Sequence, residues 1–144
     1  MWRERIAELA SNVSFGPPGS ERAVRDAEVA LQVAFPESLR GLLLEADGVE
    51  GEFGLGLIWP AARICGDNVR FRKDPGFAEL YMPFQPLLFF ADAGNGDQFA
   101  FVVLAGAIPR PDVFVWDHEN DSRTWVAPSL ETYLQWWLSG RIEL

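Results

Sequence analysis

The segment EVALQVAFPESLRGLLLEADG, residues 28–48, contains the end of one predicted helix, a break, and the whole of the next helix. The break is Pro36, which suits the start of a helix because an N–H there would have no partner in the helix. After it, apolar residues follow the i, i+3, i+4 and i+7 spacing of an amphipathic helix: Leu39, Leu42, Leu43 and Ala46. Gly48 ends this helix, since glycine tolerates the left-handed conformation common at helix ends. The segment therefore predicts two packed helices.

The helix before Pro36 is expected to begin at Ser20, whose hydroxyl can accept a free backbone N–H of the first turn. Glu21 follows in that turn, where a negative charge favours the helix dipole. The apolar face of this helix continues to about Phe35. Upstream, residues 6–13 are weakly helical in character, and residues 15–19 interrupt them with glycines and prolines. The N-terminal third is therefore predicted to be helical.

Beyond Gly48 the pattern changes to short apolar segments separated by turn residues, which is typical of strands. The predicted strands are residues 55–59, 87–91, 98–104, 113–116 and 124–127. The Asn-Gly step within residues 92–97 predicts a hairpin turn between two of them. A polar loop, residues 117–123, joins the last two. Residues 63–86 carry scattered glycines and prolines and are predicted to be irregular.

A last helix is predicted from Ser129 to just before Gly140, with Trp136 pointing off its apolar face. The whole order predicts an α+β fold: N-terminal helices, a mostly antiparallel sheet of about four to six strands, and one C-terminal helix. The strands are apolar on both sides, so both faces of the sheet need cover. The helices can cover one face, and the segment 60–86 or a partner is expected to cover the other.

The composition is that of one folded domain spanning residues 1–144. The chain has 49% hydrophobic and 23% charged residues, with 21 acidic side chains against 12 basic ones, a net charge of −9. This balance argues against direct binding to nucleic acid or to an anionic membrane surface, because both require positive charge facing phosphate. It suits a basic protein partner. Residues 91–144 alone hold eight acids and three bases, and twelve of the nineteen aromatic residues lie between Tyr81 and Trp137.

The compartment is predicted to be the cytoplasm. Cys65 is the only cysteine, so an internal disulfide is excluded. The N-terminus shows no apolar core of a secretory signal. No segment approaches the ~18 consecutive apolar residues of a membrane-spanning helix.

Catalysis by a nucleophile and a histidine base would have to use His118, the only histidine, oriented by Asp117 or Glu119. No Gly-x-Ser-x-Gly elbow accompanies it. We therefore interpret His118 as a structural or surface residue and predict that the chain is not an enzyme. An enzyme that uses His118 remains as a remote alternative.

No cofactor or metal is predicted. Asp117, Glu119 and Asp121 alternate as at the start of a calcium loop, but the sixth and twelfth positions are Ser122 and Pro128 instead of glycine and glutamate. One histidine and one distant cysteine do not make a zinc site. The glycines in residues 94–97 lead into a strand, which indicates a hairpin turn and not a phosphate-binding loop.

Four motifs in order resemble the SUKH superfamily, the group that contains the yeast cell-wall-synthesis regulator and many bacterial immunity proteins. The first is residues 28–48, with its Phe-Pro-Glu and Asp-Gly steps. The second is the glycine-rich hairpin 94–97, the third is the strand end VFVWDHE at 113–119, and the fourth is APSLETYL at 127–134. Leu130 replaces the usual aromatic residue after the serine. The resemblance covers roughly residues 20–138, and segment 60–86 matches none of these motifs.

The resemblance implies a non-catalytic α+β domain whose activity is binding. In bacteria such domains commonly neutralise one cognate toxin, often a nuclease or a nucleic-acid deaminase. The two C-terminal hairpins are expected to bind a basic toxin. Their candidate partner-binding residues are Asp92, Asp97, Asp117, His118, Glu119 and Asp121. Gly94 and Gly96 are expected to shape the turn, together with Asp97. A regulatory or scaffold domain with a non-toxin partner is the alternative, and the oligomeric state is left open.

Overall fold

The structure is a computed structural model that describes residues 1–144. It contains six helices: α1 (Trp2–Leu9), α2 (Glu21–Leu31), α3 (Glu37–Glu45), α4 (Ala61–Lys73), α5 (Pro75–Leu80) and α6 (Leu130–Leu138). It contains seven strands: β1 (Ser14–Phe15), β2 (Val49–Glu50), β3 (Gly56–Ile58), β4 (Leu87–Asp92), β5 (Gln98–Val102), β6 (Val113–Trp116) and β7 (Arg123–Ala127). No helix is long and apolar enough to span a bilayer.

The strands form two antiparallel sheets. One sheet has three strands in the order β1-β2-β3, and the other has four in the order β4-β5-β6-β7. The N–H of Trp59, just after β3, donates to the carbonyl of Phe90 in β4 at 2.8 Å, which joins the two sheets. The predicted α+β class, with N-terminal helices and a closing helix, is confirmed.

The predicted starts of α2 and α6 hold at their capping residues, whereas α3 ends at Glu45 and not at Gly48, because Ala46 is already extended. The hydroxyl of Ser20 accepts the N–H of Ala23, and that of Ser129 accepts the N–H of Thr132. The end of α2 is a correction: the helix stops at Leu31 and not near Phe35, because Gln32 takes a left-handed conformation with φ 56°. The apolar residues beyond it continue into the core without helical structure.

The segment 63–86, predicted to be irregular, lies largely in two helices. The buried residues Ala61, Ile64 and Phe71 share one face of α4, and the stripe that they form is interrupted by the polar Asn68. Asp74 caps α5 through a hydrogen bond from the N–H of Gly76, and Pro75 occupies its first turn. The sequence prediction was wrong because a polar residue in the buried stripe of α4 conceals the helical period, and because α5, with six residues, is too short to show one.

Aromatic side chains fill both sides of the four-stranded sheet. On the side of α4 and α5, ring centroids 5.1–6.4 Å apart join a cluster of Phe71, Phe77, Tyr81, Phe84, Phe89 and Trp116. On the side of α6, a second cluster comprises Phe90, Phe99, Phe101, Tyr133 and Trp137. The aromatic density of the second half of the chain is therefore core, and segment 60–86 supplies the second cover.

Asn68 fastens α4 to the edge of β4. Its side-chain amide donates to the carbonyl of Phe89 at 2.9 Å, and its amide oxygen accepts the N–H of Phe89 at 2.9 Å. The same amide nitrogen donates to the carbonyl of Ile64 at 2.7 Å. Asn68 is only 1% exposed, so these bonds satisfy backbone groups that water does not reach.

Replacement of Asn68 by alanine is expected to lower the free energy of unfolding by about 2–4 kcal/mol, because it leaves the buried N–H and carbonyl of Phe89 without partners. Denaturant titration followed by fluorescence would measure it. Gln135→Ala is the matched control, since Gln135 is an exposed helical amide. Equal stability of both variants would contradict this role of Asn68.

Candidate functional site

Three polar loops meet at one end of the molecule, which we call the loop end: residues 51–55, 93–97 and 117–122. The first joins β2 to β3, the second β4 to β5, and the third β6 to β7. A Cβ on Gly94 would lie 3.4 Å from Leu55, and one on Gly96 would lie 2.8 Å from the His118 ring. The middle loop therefore packs against both of its neighbours.

Gly96 fits its position for two reasons. Its φ of 98° is in the region that favours glycine, and the imidazole of His118 occupies the space where a Cβ would project. Gly94, at φ 93°, is left-handed as well. Asn95 closes the turn by accepting the N–H of Asp97 at 3.0 Å. Both glycines therefore shape the hairpin turn that the Asn-Gly step predicts.

Asp97 joins the middle loop to the third loop. One of its carboxylate oxygens lies 2.6 Å from Nδ1 of His118 and accepts the backbone N–H of His118 at 3.1 Å. Asp97 is 8% exposed. The hydrogen bond to this carboxylate raises the pKa of His118, against a smaller opposing effect of burial.

Asp121 binds groups from three directions. Its carboxylate accepts the N–H of Met82 at 2.9 Å, the indole N–H of Trp116 at 2.8 Å, and a guanidinium N–H of Arg123 at 3.1 Å. Burial alone would raise the pKa of Asp121, but these hydrogen bonds outweigh it and the pKa is lowered. Asp121 therefore ties its loop to the segment after α5.

Asp92 and Asp117 also have partners within the chain. Asp92 forms a two-pronged ion pair with Arg63, with both N–O distances 2.9 Å. The guanidinium of Arg63 lies 4.1 Å from the ring centre of Trp59. Asp117 accepts the N–H of Glu119 at 2.8 Å. The Glu119 side chain is exposed and makes no hydrogen bond or ion pair.

The six predicted partner-binding residues therefore lie at or beside the loop end, and five of them use their side chains to hold it together. That any of the six contacts a partner stays a prediction. The loop end remains acidic because Asp117 and Glu119 have no cationic partner, although Arg63 and Arg123 offset the charges of Asp92 and Asp121.

Asp97, Asp117 and His118 could offer ligand atoms to a metal ion, since one atom of each lies within 4.8 Å of the others. However, the Nδ1 atom of His118 already lies within hydrogen-bond distance of Asp97. No fourth carboxylate, imidazole or thiol joins the group, whereas zinc favours four ligands. These side chains therefore fit a hydrogen-bonded Asp97–His118 pair better than a metal centre.

The first loop holds a feature that the sequence reasoning missed. Phe53 is fully exposed at the tip of the β2–β3 hairpin, and a cleft of about 400 Å³ lies beside it, lined by Asp47, Glu50 and Trp59 among others. The available signal was the run Gly51–Gly54, where an aromatic residue sits between a glutamate and a glycine, outside any apolar period.

Six helices around two antiparallel sheets, with a helix that closes the chain, define an α+β domain. Residues 21–134 match the SUKH_6 family, described as SMI1-KNR4 cell-wall. The match covers most of the 144 residues, and the chain therefore belongs to this family. The predicted resemblance is confirmed, and it supports a general role in protein interaction or immunity. No curated protein matches the chain.

The pKa of His118 is expected to lie above its ordinary value of about 6.5. Stabilisation by the Asp97–His118 pair is then complete below about pH 6.5 and is lost as the pH rises through the raised pKa. Because His118 is the only histidine, its ring protons give an unambiguous NMR titration. Asp97→Asn should bring the pKa back towards 6.5. A His118 pKa at or below 6.5 in the wild-type protein would contradict the hydrogen bond between Asp97 and His118.

Proposed function

We propose that this chain is a bacterial immunity protein that binds and neutralises a cognate, basic protein toxin, with a nuclease as one candidate. The observation that carries the proposal is the acidic loop end on a SUKH domain. Three loops held by internal hydrogen bonds present negative charge to solvent, and the charges of Asp117 and Glu119 have no cationic partner. The proposed place of action is the cytoplasm.

The charge of the chain supports a basic partner. The net charge is −9, and nuclease toxins must present positive charge to the phosphates of their substrate. An acidic protein that covers such a groove blocks the substrate, and the complementary fields accelerate encounter. The two surfaces therefore have complementary chemistry, and direct nucleic-acid or membrane binding is not proposed.

The environment of His118 supports binding over catalysis. The hydrogen bond of its ring is to Asp97, and no serine, threonine or cysteine side chain is hydrogen-bonded to it. General-base catalysis requires a nucleophile within hydrogen-bond reach of the base. We therefore propose that the chain is not an enzyme and needs no cofactor.

The direct test is co-expression with the product of the neighbouring gene. We expect the preceding open reading frame to end in a toxin domain, the isolated domain to arrest growth, and this chain to restore growth and co-purify with the domain. Failure to bind that domain would count against the immunity role and leave regulatory binding of another partner as the alternative. Activity lost on His118→Ala in any enzymatic assay would contradict the non-catalytic proposal.

Reversal of the charge of Glu119 should slow association with the toxin domain several-fold and weaken its dependence on salt, with little effect on dissociation. Glu119→Lys changes an exposed side chain without internal bonds, so the fold should persist. Glu37→Lys, on α3, is the control of equal charge. Stopped-flow association at two ionic strengths measures the effect. Equal rates for both variants would place the interface away from the third loop.

A further inference from the structure

Phe53 occupies a backbone conformation that phenylalanine rarely adopts. Its φ of 58° and ψ of 27° are left-handed, where the Cβ of an L-residue crowds the backbone. Glycine and asparagine adopt this conformation with less strain. A bulky aromatic residue at this position therefore costs conformational energy that a smaller residue would avoid.

No packing of the Phe53 side chain compensates for this strain. Phe53 has a relative exposure of 103%, the highest among the large hydrophobic side chains of the chain. The chain has eleven phenylalanines, and the ring of Phe53 makes none of the aromatic contacts found in the core. The ring thus offers apolar surface to solvent at the tip of a hairpin, where a binding partner can reach it.

The loop that carries Phe53 is held in place. The N–H of Gly51 donates to the carbonyl of Leu55 at 2.8 Å, and the N–H of Leu55 donates to the carbonyl of Glu52 at 3.1 Å. The Glu52 carboxylate accepts a hydrogen bond from the Asn12 amide. Because Leu55 also packs against Gly94, the backbone that presents the ring is set before any partner arrives.

The surroundings indicate the chemistry of the partner. Glu50 and Glu52, which precede Phe53 in the chain, are exposed, and Asp47 lines the adjoining cleft. The one basic residue in that cleft, Arg63, is already paired with Asp67 and Asp92. An apolar ring inside an acidic border fits an apolar socket inside a basic border.

We propose that Phe53 is the apolar anchor of the interface with a basic protein, inserted into a socket of the toxin while the surrounding acids face its basic rim. This inference rests on the proposed function and adds an apolar contact that slows dissociation. The two kinds of side chain then have different effects. The carboxylates around the ring accelerate association, and the ring slows dissociation.

The test replaces Phe53 by asparagine, which removes the ring and keeps a residue that accepts the left-handed backbone. Surface-plasmon resonance against the toxin domain of the neighbouring gene should show dissociation accelerated about 10- to 100-fold, with association and its salt dependence nearly unchanged. Val29→Asn, which removes an exposed apolar side chain on α2, is the matched control and should leave both rates unchanged.

The outcomes separate the two proposals. If the wild-type chain does not bind the domain, the proposed function fails, and the anchor fails with it. If the wild-type chain binds and Phe53→Asn dissociates at the wild-type rate, only the anchor fails. Stability of the free protein provides a second measurement: Phe53→Asn should unfold at an equal or higher denaturant concentration than the wild type, and a clear loss of stability would assign the ring a role in the fold instead.

Discussion

The fold depends on one buried amide, that of Asn68, which replaces a neighbouring strand at the edge of β4. Its two hydrogen bonds with Phe89 satisfy a backbone N–H and a carbonyl that would otherwise be enclosed without partners. These two hydrogen bonds also fix the position of α4 along β4. Other parts of the fold depend on this position of α4. Helix α2 packs on α4, and Phe71 of α4 lies among the rings that cover the sheet.

The position of α4 also sets one border of the loop end. Arg63 lies five residues before Asn68 on the same helix, and from there it reaches both carboxylate oxygens of Asp92 at the end of β4. The opposite border is set by Asp97 and Asp121, which tie the third loop to the middle loop and to the segment after α5. Fold and loop end are therefore linked through α4, because the helix that Asn68 fixes to β4 also carries the arginine that holds Asp92.

The sequence predicted the elements whose period is long and uninterrupted, and it missed α4, whose buried face contains a polar residue, and the short elements α5, β1 and β2. The α3 stripe of Leu39, Leu42 and Leu43 is wholly apolar and was recognised, whereas α4 was not, because Asn68 lies in its stripe. At the loop end, turn chemistry predicted the hairpin at Gly94 and Gly96. The pairing of Asp97 with His118 could not be predicted, since it joins residues 21 positions apart. Phe53 lacked any local pattern, and only its exposure in three dimensions distinguishes it from a core residue.

The acids of the loop end act on two length scales. Within the chain, Asp92, Asp97 and Asp121 accept hydrogen bonds over about 3 Å, and this fixes the loops. Across solvent, negative charges that no cation offsets are felt over roughly 8–10 Å at physiological salt, and this reach does not require a free carboxylate. Arg63 and Arg123 offset the charges of Asp92 and Asp121, whereas the N–H that Asp117 accepts is neutral and leaves its charge in place. Acids committed to holding a loop can therefore still attract a basic surface, while close contact depends on the exposed side chains beside them. In this domain those are Glu50, Glu119 and the ring of Phe53.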